Sequence, residues 1–231
     1  MKIYFFSGLG ADKTVFQFLD FGFCQPVFID WITPLQNESL PSYALRLKEH
    51  YNIPDNANIC GLSFGGMLAT EIAKKYNSIN AVLISSSKTK YEMPPFYRMG
   101  KYFSVHAWTP GSLQRWFMLN MKDFFGLKNP AYIKVYEDLI KNADVEFNKW
   151  AVTALVNWDN TYVPENITHI HGTTDKILPY KYVSCNYTIR NGGHLMIMEQ
   201  AEMISKLLSD IVTRRTVLSS PESQPVSQSQ A

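Results

Sequence analysis

Gly61-Leu62-Ser63-Phe64-Gly65-Gly66 is the stretch whose reading decides the fold. One serine stands between glycines, just after a short apolar run (Ala57–Leu62) and just before a helix-like one. Pro54-Asp55 precedes the run as a turn signal. After the serine, Met67, Leu68, Ile72, Ala73 and Tyr76 recur at the spacing of one helix face, with Glu71, Lys74 and Lys75 on the polar side. Strand, sharp turn and helix form the setting of a G-x-S-x-G nucleophile elbow. A serine hydroxyl is a poor nucleophile unless the fold exposes it and a base takes its proton. In that arrangement, glycines at 61 and 65 let strand and helix approach closely around the serine. The plain alternative is a glycine-rich turn joining an ordinary strand and helix. Three such fixed positions recur by chance in about one chain in ten, so further residues have to be found downstream.

The rest of the chain supplies the frame. Six short runs read as strands: Lys2–Ser7, Pro26–Trp31, Ala57–Leu62, Asn80–Ser86, Ile167–His171 and Tyr182–Ile189. Most are continuously apolar, as strands covered on both faces are. Helical patterns lie at Ser42–Tyr51, after Ser63, and at Glu199–Thr213. The alternation predicts an α/β domain around a mostly parallel sheet of about six strands with right-handed crossovers. The fourth and fifth runs are separated by roughly eighty residues, far more than a crossover needs. The expected organisation is therefore a core of residues 1–87 and 165–215, a helical insertion over 88–164, and a mobile Ser/Gln/Pro-rich tail over 216–231. The insertion is dense in large side chains, including Phe96, Trp108, Trp116, Phe117, Trp150 and Trp158. Most of these must form the insertion's own core. Trp116, Phe117 and Trp150 are named as candidates to line an apolar pocket above the serine.

Composition narrows the function classes. The chain has 231 residues, 46% of them hydrophobic, and a net charge of only +2. That balance gives no electrostatic case for nucleic acid, and no apolar run approaches the ~20 residues of a membrane span. Met1–Gly10 lacks a signal peptide's h-region and cleavage site and is read as the first strand. Cys24, Cys60 and Cys185 show neither metal spacing nor a disulfide framework, so a cytoplasmic setting is expected.

Of five histidines, His194 in Asn191-Gly192-Gly193-His194-Leu195 lies in a loop between the last strand and the last helix. That is the chain position expected of the base serving an elbow serine. His169 and His171 alternate within a strand, where packing is the expected role; as an i, i+2 pair they find no third metal ligand. Asp175 follows the fifth strand in His171-Gly172-Thr173-Thr174-Asp175, placed to accept the histidine's Nδ1–H and fix its tautomer. Its plain reading is a turn-forming aspartate. Asp159 and Glu165 are rivals, but they fall at the wrong end of a parallel strand. Two backbone N–H groups are expected to form an oxyanion hole, one from Phe64 and one from Leu9 in the Ser7-Gly8-Leu9-Gly10 loop.

These residues, in the order Ser63, Asp175, His194, resemble the α/β-hydrolase superfamily, over nearly the whole chain from Lys2 to about Val212. The resemblance implies a serine hydrolase cleaving a small-molecule ester or thioester without metal or organic cofactor, and it makes the insertion a cap. A lyase or acyl transferase using the same residues, or a binding protein on this scaffold, are the other classes it leaves open. The sequence departs from the family in lacking two usual initial strands. It also has Ser7-Gly8 where many members have His-Gly.

Overall fold

In the computed structural model of the chain, residues 1–95, 97 and 110–218 are described, with side chains through Arg214. Among the described residues six strands form one all-parallel sheet in the order β2-β1-β3-β4-β5-β6. They are β1 (Lys2–Phe6), β2 (Gln25–Ile29), β3 (Asn58–Leu62), β4 (Asn80–Ile84), β5 (Ile167–Gly172) and β6 (Tyr187–Ile189). The helices are α1 (Leu40–His50), α2 (Phe64–Lys75), α3 (Gly111–Asn120), α4 (Pro130–Asn142), α5 (Val145–Val156), α6 (Met196–Glu199) and α7 (Ala201–Leu218). The predicted α/β class, parallel sheet and six strands are what the structure has.

The continuous apolar strands are explained by two cores, one on each face. Because strand side chains alternate, Tyr4 and Phe6, Ile59, Ala81 and Leu83 pack against α1 and α2. Their neighbours Ile3 and Phe5, Cys60 and Leu62, Val82 and Ile84 pack on the other face with Ile204, Leu208 and Ile211 of α7. Phe5 anchors this second core, with Phe16 at 5.3 Å and Phe21 at 5.4 Å between ring centroids. Truncating such a buried ring costs about 3–5 kcal/mol.

The sixth strand is shorter than the predicted Tyr182–Ile189. Pro179 starts a 3-10 turn over Tyr180–Tyr182. Asn186 then completes the edge of β5: its N–H donates to His169 O (2.9 Å) and its Oδ1 accepts from His169 N (2.8 Å). A side chain thus takes a ladder position, and regular pairing begins only at Tyr187.

Between β4 and β5 the chain leaves the sheet and forms α3, α4 and α5. The insertion is tied to both layers. Trp150 of α5 packs on Tyr43 of α1, ring centroids 4.4 Å apart, and Tyr132 of α4 on Phe18 at 4.5 Å. Tyr136 Oη donates to Met118 O (2.6 Å), joining α4 to α3. Phe96 and Trp108 lie outside the described residues, as does the expected tail from 219 onward. No helix among the described residues is long and apolar enough to cross a membrane.

The strand order places a switch between β1 and β3: the chain runs outward from β1 to β2, then returns to the other side of β1. In open α/β sheets, ligands bind at the carboxyl ends beside such a switch. The loops leaving β1 and β3 there are Ser7–Gly10 and Ser63 itself.

Candidate active site

Ser63 sits between β3 and α2 with φ 51° and ψ −115°. A non-glycine residue in this region carries about 1–3 kcal/mol of strain and persists only when its surroundings hold it. Ser63 N donates to Ile84 O (2.9 Å) and Ser86 Oγ donates to Ser63 O (2.6 Å), pinning the turn to β4. The flanking glycines are needed sterically. A Cβ on Gly61 would meet the Gly65 carbonyl, and one on Gly65 would meet the carbonyl oxygens of Phe6 and Ser7. Ser63 directly precedes α2 and so stands at the positive end of its dipole.

Three loops converge at this point. His194 Nε2 lies 2.9 Å from Ser63 Oγ, and His194 Nδ1 lies 2.8 Å from Asp175 Oδ2. The other carboxylate oxygen, Oδ1, accepts from the N–H of Ile177 and of Leu178, both at 2.8 Å. Burial pulls the Asp175 pKa up. The charge of His194 and the hydrogen bonds from His194 and Leu178 outweigh it, and the carboxyl is held below its ordinary value. An ionised Asp175 offers only acceptors, so His194 Nδ1 carries the proton and Nε2 is left to accept from the serine hydroxyl. Asp175 and His194 are 4% and 3% exposed, so this line of groups is shielded from water.

The sequence did not single out His171 for this region. Fully buried, it lies behind Asp175, with Nε2 donating to Leu178 O (2.8 Å) and 3.6 Å from Asp175 Oδ2. It therefore clamps the loop that gives Asp175 its N–H donors. Burial keeps the His171 pKa below its ordinary value despite the nearby carboxylate. His169, 5.2 Å away between ring centroids, is pushed well below by burial and by the charges of His171 and Lys88. Phe125 was also missed as a site neighbour: its ring meets His194 edge-on at 5.6 Å and its carbonyl accepts from Leu195 N (3.0 Å). The only sequence hint for either was position, since neither motif nor periodicity marks them.

The loop after β1 passes against the serine. A Cβ on Gly8 would sit 3.5 Å from Ser63 Cβ. Ser7 turns inward, and its Oγ donates to Ala11 O (2.8 Å). Leu9 and Phe64 both border the same cavity as Ser63. Phe64 opens α2, where a backbone N–H has no intrahelical acceptor.

That cavity measures about 510 Å³ and is bounded by Ser63, His194, the β1 loop and the insertion helices. Its wall is largely apolar, with Met67, Met93, Met118, Met121, Phe124 and Phe125. Burial pushes the phenol of Tyr97, at its edge, up to about 12. Of the three aromatics named from sequence, Phe117 borders the cavity. Trp116, 60% exposed, is not on its wall, because it occupies the outer side of α3. Trp150 is not on it either: its Nε1–H donates to Glu38 O (2.9 Å), which turns the indole toward α1. Among the described residues, no group of three or more His, Cys, Asp or Glu side chains is placed to hold a metal ion.

The doubly covered parallel sheet with its serine turn, histidine loop and helical insertion after β4 is the α/β-hydrolase fold. Solved structures share it over almost their whole length. An esterase from Thermogutta terrifontis, solved with malate bound, superposes with a TM-score of 0.73 at 17% identity, over 93% of this chain and 90% of its own. An esterase from Exiguobacterium antarcticum gives 0.73 at 12% identity, over 92% of each chain. The enol-lactonase from Burkholderia xenovorans gives 0.69 at 18% identity, over 92% and 91%. No protein-family model matches the sequence. No curated protein matches it either.

Proposed function

We propose that the chain is a serine hydrolase that cleaves a small-molecule carboxylic ester or thioester through an acyl-enzyme. The observation that carries this reading is the unbroken line from Ser63 Oγ through His194 to Asp175, with contacts of 2.9 and 2.8 Å. Ser63 attacks the carbonyl carbon as His194 Nε2 takes its proton. Asp175 stabilises the imidazolium and holds its tautomer. The N–H groups of Leu9 and Phe64 receive the developing oxyanion; one such donor is worth about 10²–10³ in rate. The imidazolium then protonates the leaving alcohol or thiol. Water, deprotonated by the same nitrogen, releases the acid and restores Ser63. These groups supply every proton and charge the reaction needs. The described helices of the 88–164 insertion act as the cap that closes an apolar cavity over the acyl group, and the esterases that share the fold support an ester as the substrate. Reaction with a fluorophosphonate probe, together with turnover of p-nitrophenyl esters, tests the assignment. Both are expected to vanish in Ser63→Ala, and labelling that survives the substitution would overturn it.

A further inference from the structure

The charged residues on the cavity wall are all of one sign. Arg115, Lys149 and Lys176 border it, and among the described residues no Asp or Glu does. The chain as a whole is nearly balanced, with 22 Lys and Arg against 20 Asp and Glu, so composition alone does not account for this. The stretch 93–122, which leads into and through α3, likewise contains Arg98, Lys101, Arg115 and Lys122 and no carboxylate. Lys149 is already paired, with Glu146 at 2.9 Å. The other two form no ion pair among the described residues. Arg115 spends Nε–H and one Nη2–H on the carbonyls of Ile140 and Ala143 at the end of α4 (3.2 and 3.4 Å). A guanidinium has five N–H donors, so this anchors the group while leaving donors to offer. The Lys176 ammonium lies 5.6 Å from the centre of the Phe124 ring and makes no ion pair with a described carboxylate. A neutral apolar ester needs neither cation, and an acidic molecule would be drawn to both.

We infer that the substrate is an amphipathic anion: its apolar chain fills the methionine- and phenylalanine-lined cavity, and a carboxylate or phosphate away from the scissile bond meets Arg115 and Lys176. The inference rests on the reading of Ser63 as the nucleophile and adds the chemical class of what it attacks. The anion has two possible sources, the far end of a dicarboxylic acyl group or a phosphorylated leaving group.

Two matched pairs of substrates test it: p-nitrophenyl hexanoate against the p-nitrophenyl monoester of hexanedioic acid, and hexanoyl-N-acetylcysteamine against hexanoyl-coenzyme A. In at least one pair the anionic member is expected to show the higher kcat/KM, by about tenfold for two partly exposed ion pairs. The advantage should shrink several-fold near 0.5 M salt, where the Debye length falls to roughly 4 Å. Arg115→Gln and Lys176→Gln should each lower the anionic-to-neutral ratio. The pair that shows the preference identifies the source of the charge. Ser63-dependent turnover of the neutral members with no anionic preference in either pair overturns the inference and leaves the hydrolase reading standing. Labelling of Ser63 with no turnover of all four compounds overturns the inference as well. No labelling and no turnover removes both readings together.

Discussion

Asp175→Asn separates geometry from chemistry, because the structure dictates which way the new amide must face. Asp175 Oδ1 accepts two backbone N–H groups, from Ile177 and Leu178, each at 2.8 Å. An asparagine that put its NH₂ there would set donor against two buried donors. It would also leave both unsatisfied, at about 1–3 kcal/mol each. The carbonyl oxygen therefore keeps the Oδ1 position and the NH₂ takes that of Oδ2, 2.8 Å from His194 Nδ1. The close approach of His171 Nε2–H to that second position, at 3.6 Å, opposes this orientation, but it is one long contact against two short ones. Facing a donor, His194 must present Nδ1 as acceptor and move its proton to Nε2. The Nε2–H then points at Ser63 Oγ and accepts nothing. The fold and the distances survive while the base is lost. The expected fall in kcat is about 10⁴-fold, the size produced by the same exchange in a Ser-His-Asp protease, or roughly 5.5 kcal/mol of barrier. The assay is p-nitrophenyl ester turnover alongside thermal unfolding, to show that the variant is folded. A folded Asp175→Asn enzyme retaining more than about a tenth of wild-type kcat would refute the tautomer argument and with it the role given to Asp175.

Other expectations follow from the same contacts. His169 and His171 have lowered pKa values through burial, so the unfolded chain takes up protons that the folded one refuses. Stability is therefore lost as pH falls below about 6.5, at up to ~1.4 kcal/mol per pH unit for each histidine. Urea unfolding between pH 7.5 and 5 should show this slope, and His169→Leu should reduce it. Asp175, with its lowered pKa, adds stability above about 4 that is lost only at lower pH. Gly65→Ala forces a Cβ onto the carbonyls of Phe6 and Ser7 and is expected to cost about 3 kcal/mol or more; a denaturation midpoint equal to wild type would contradict the packing described. Trp150→Phe removes the hydrogen bond to Glu38 O and should lower stability by about 1–2 kcal/mol, while KM for esters moves by less than about twofold.

What could be read from the sequence was what a short stretch encodes locally. The continuously apolar strands announce a sheet covered on both faces, and the alternation of Tyr4 and Phe6 against Ile3 and Phe5 shows why no polar face was visible. That Ser63, Asp175 and His194 would meet was legible because each stands in a loop at a carboxyl end of the sheet, where chain order alone predicts the place. The illegible features are those set by contacts distant in sequence. Trp150 shares a helix face with Phe147, which favours neither cavity nor core; its direction is decided by a carbonyl 112 residues earlier. The start of β6 depends on Asn186 taking a ladder position beside His169, which no propensity encodes.

His171 shows the same limit from the functional side. As a strand residue it reads as packing, and it does pack, fully buried. Yet its one hydrogen bond goes to Leu178 O, the carbonyl of the residue whose N–H holds Asp175. Strand β5 thereby grips the loop that follows it through the His171 side chain, and the loop closes on itself where the Asp175 carboxylate takes the N–H groups of Ile177 and Leu178. The arrangement explains how a buried acid stays ionised next to the histidine to which the proposed mechanism gives a proton. The cost of burying the charge, the main upward influence on Asp175, is offset by contacts that exist before any substrate arrives. The strained Ser63 backbone, pinned to Ile84 at the end of β4 and to Ser86 just after it, belongs to the same design. In both cases a strand fixes a loop in place, as the proposed mechanism requires before any substrate arrives.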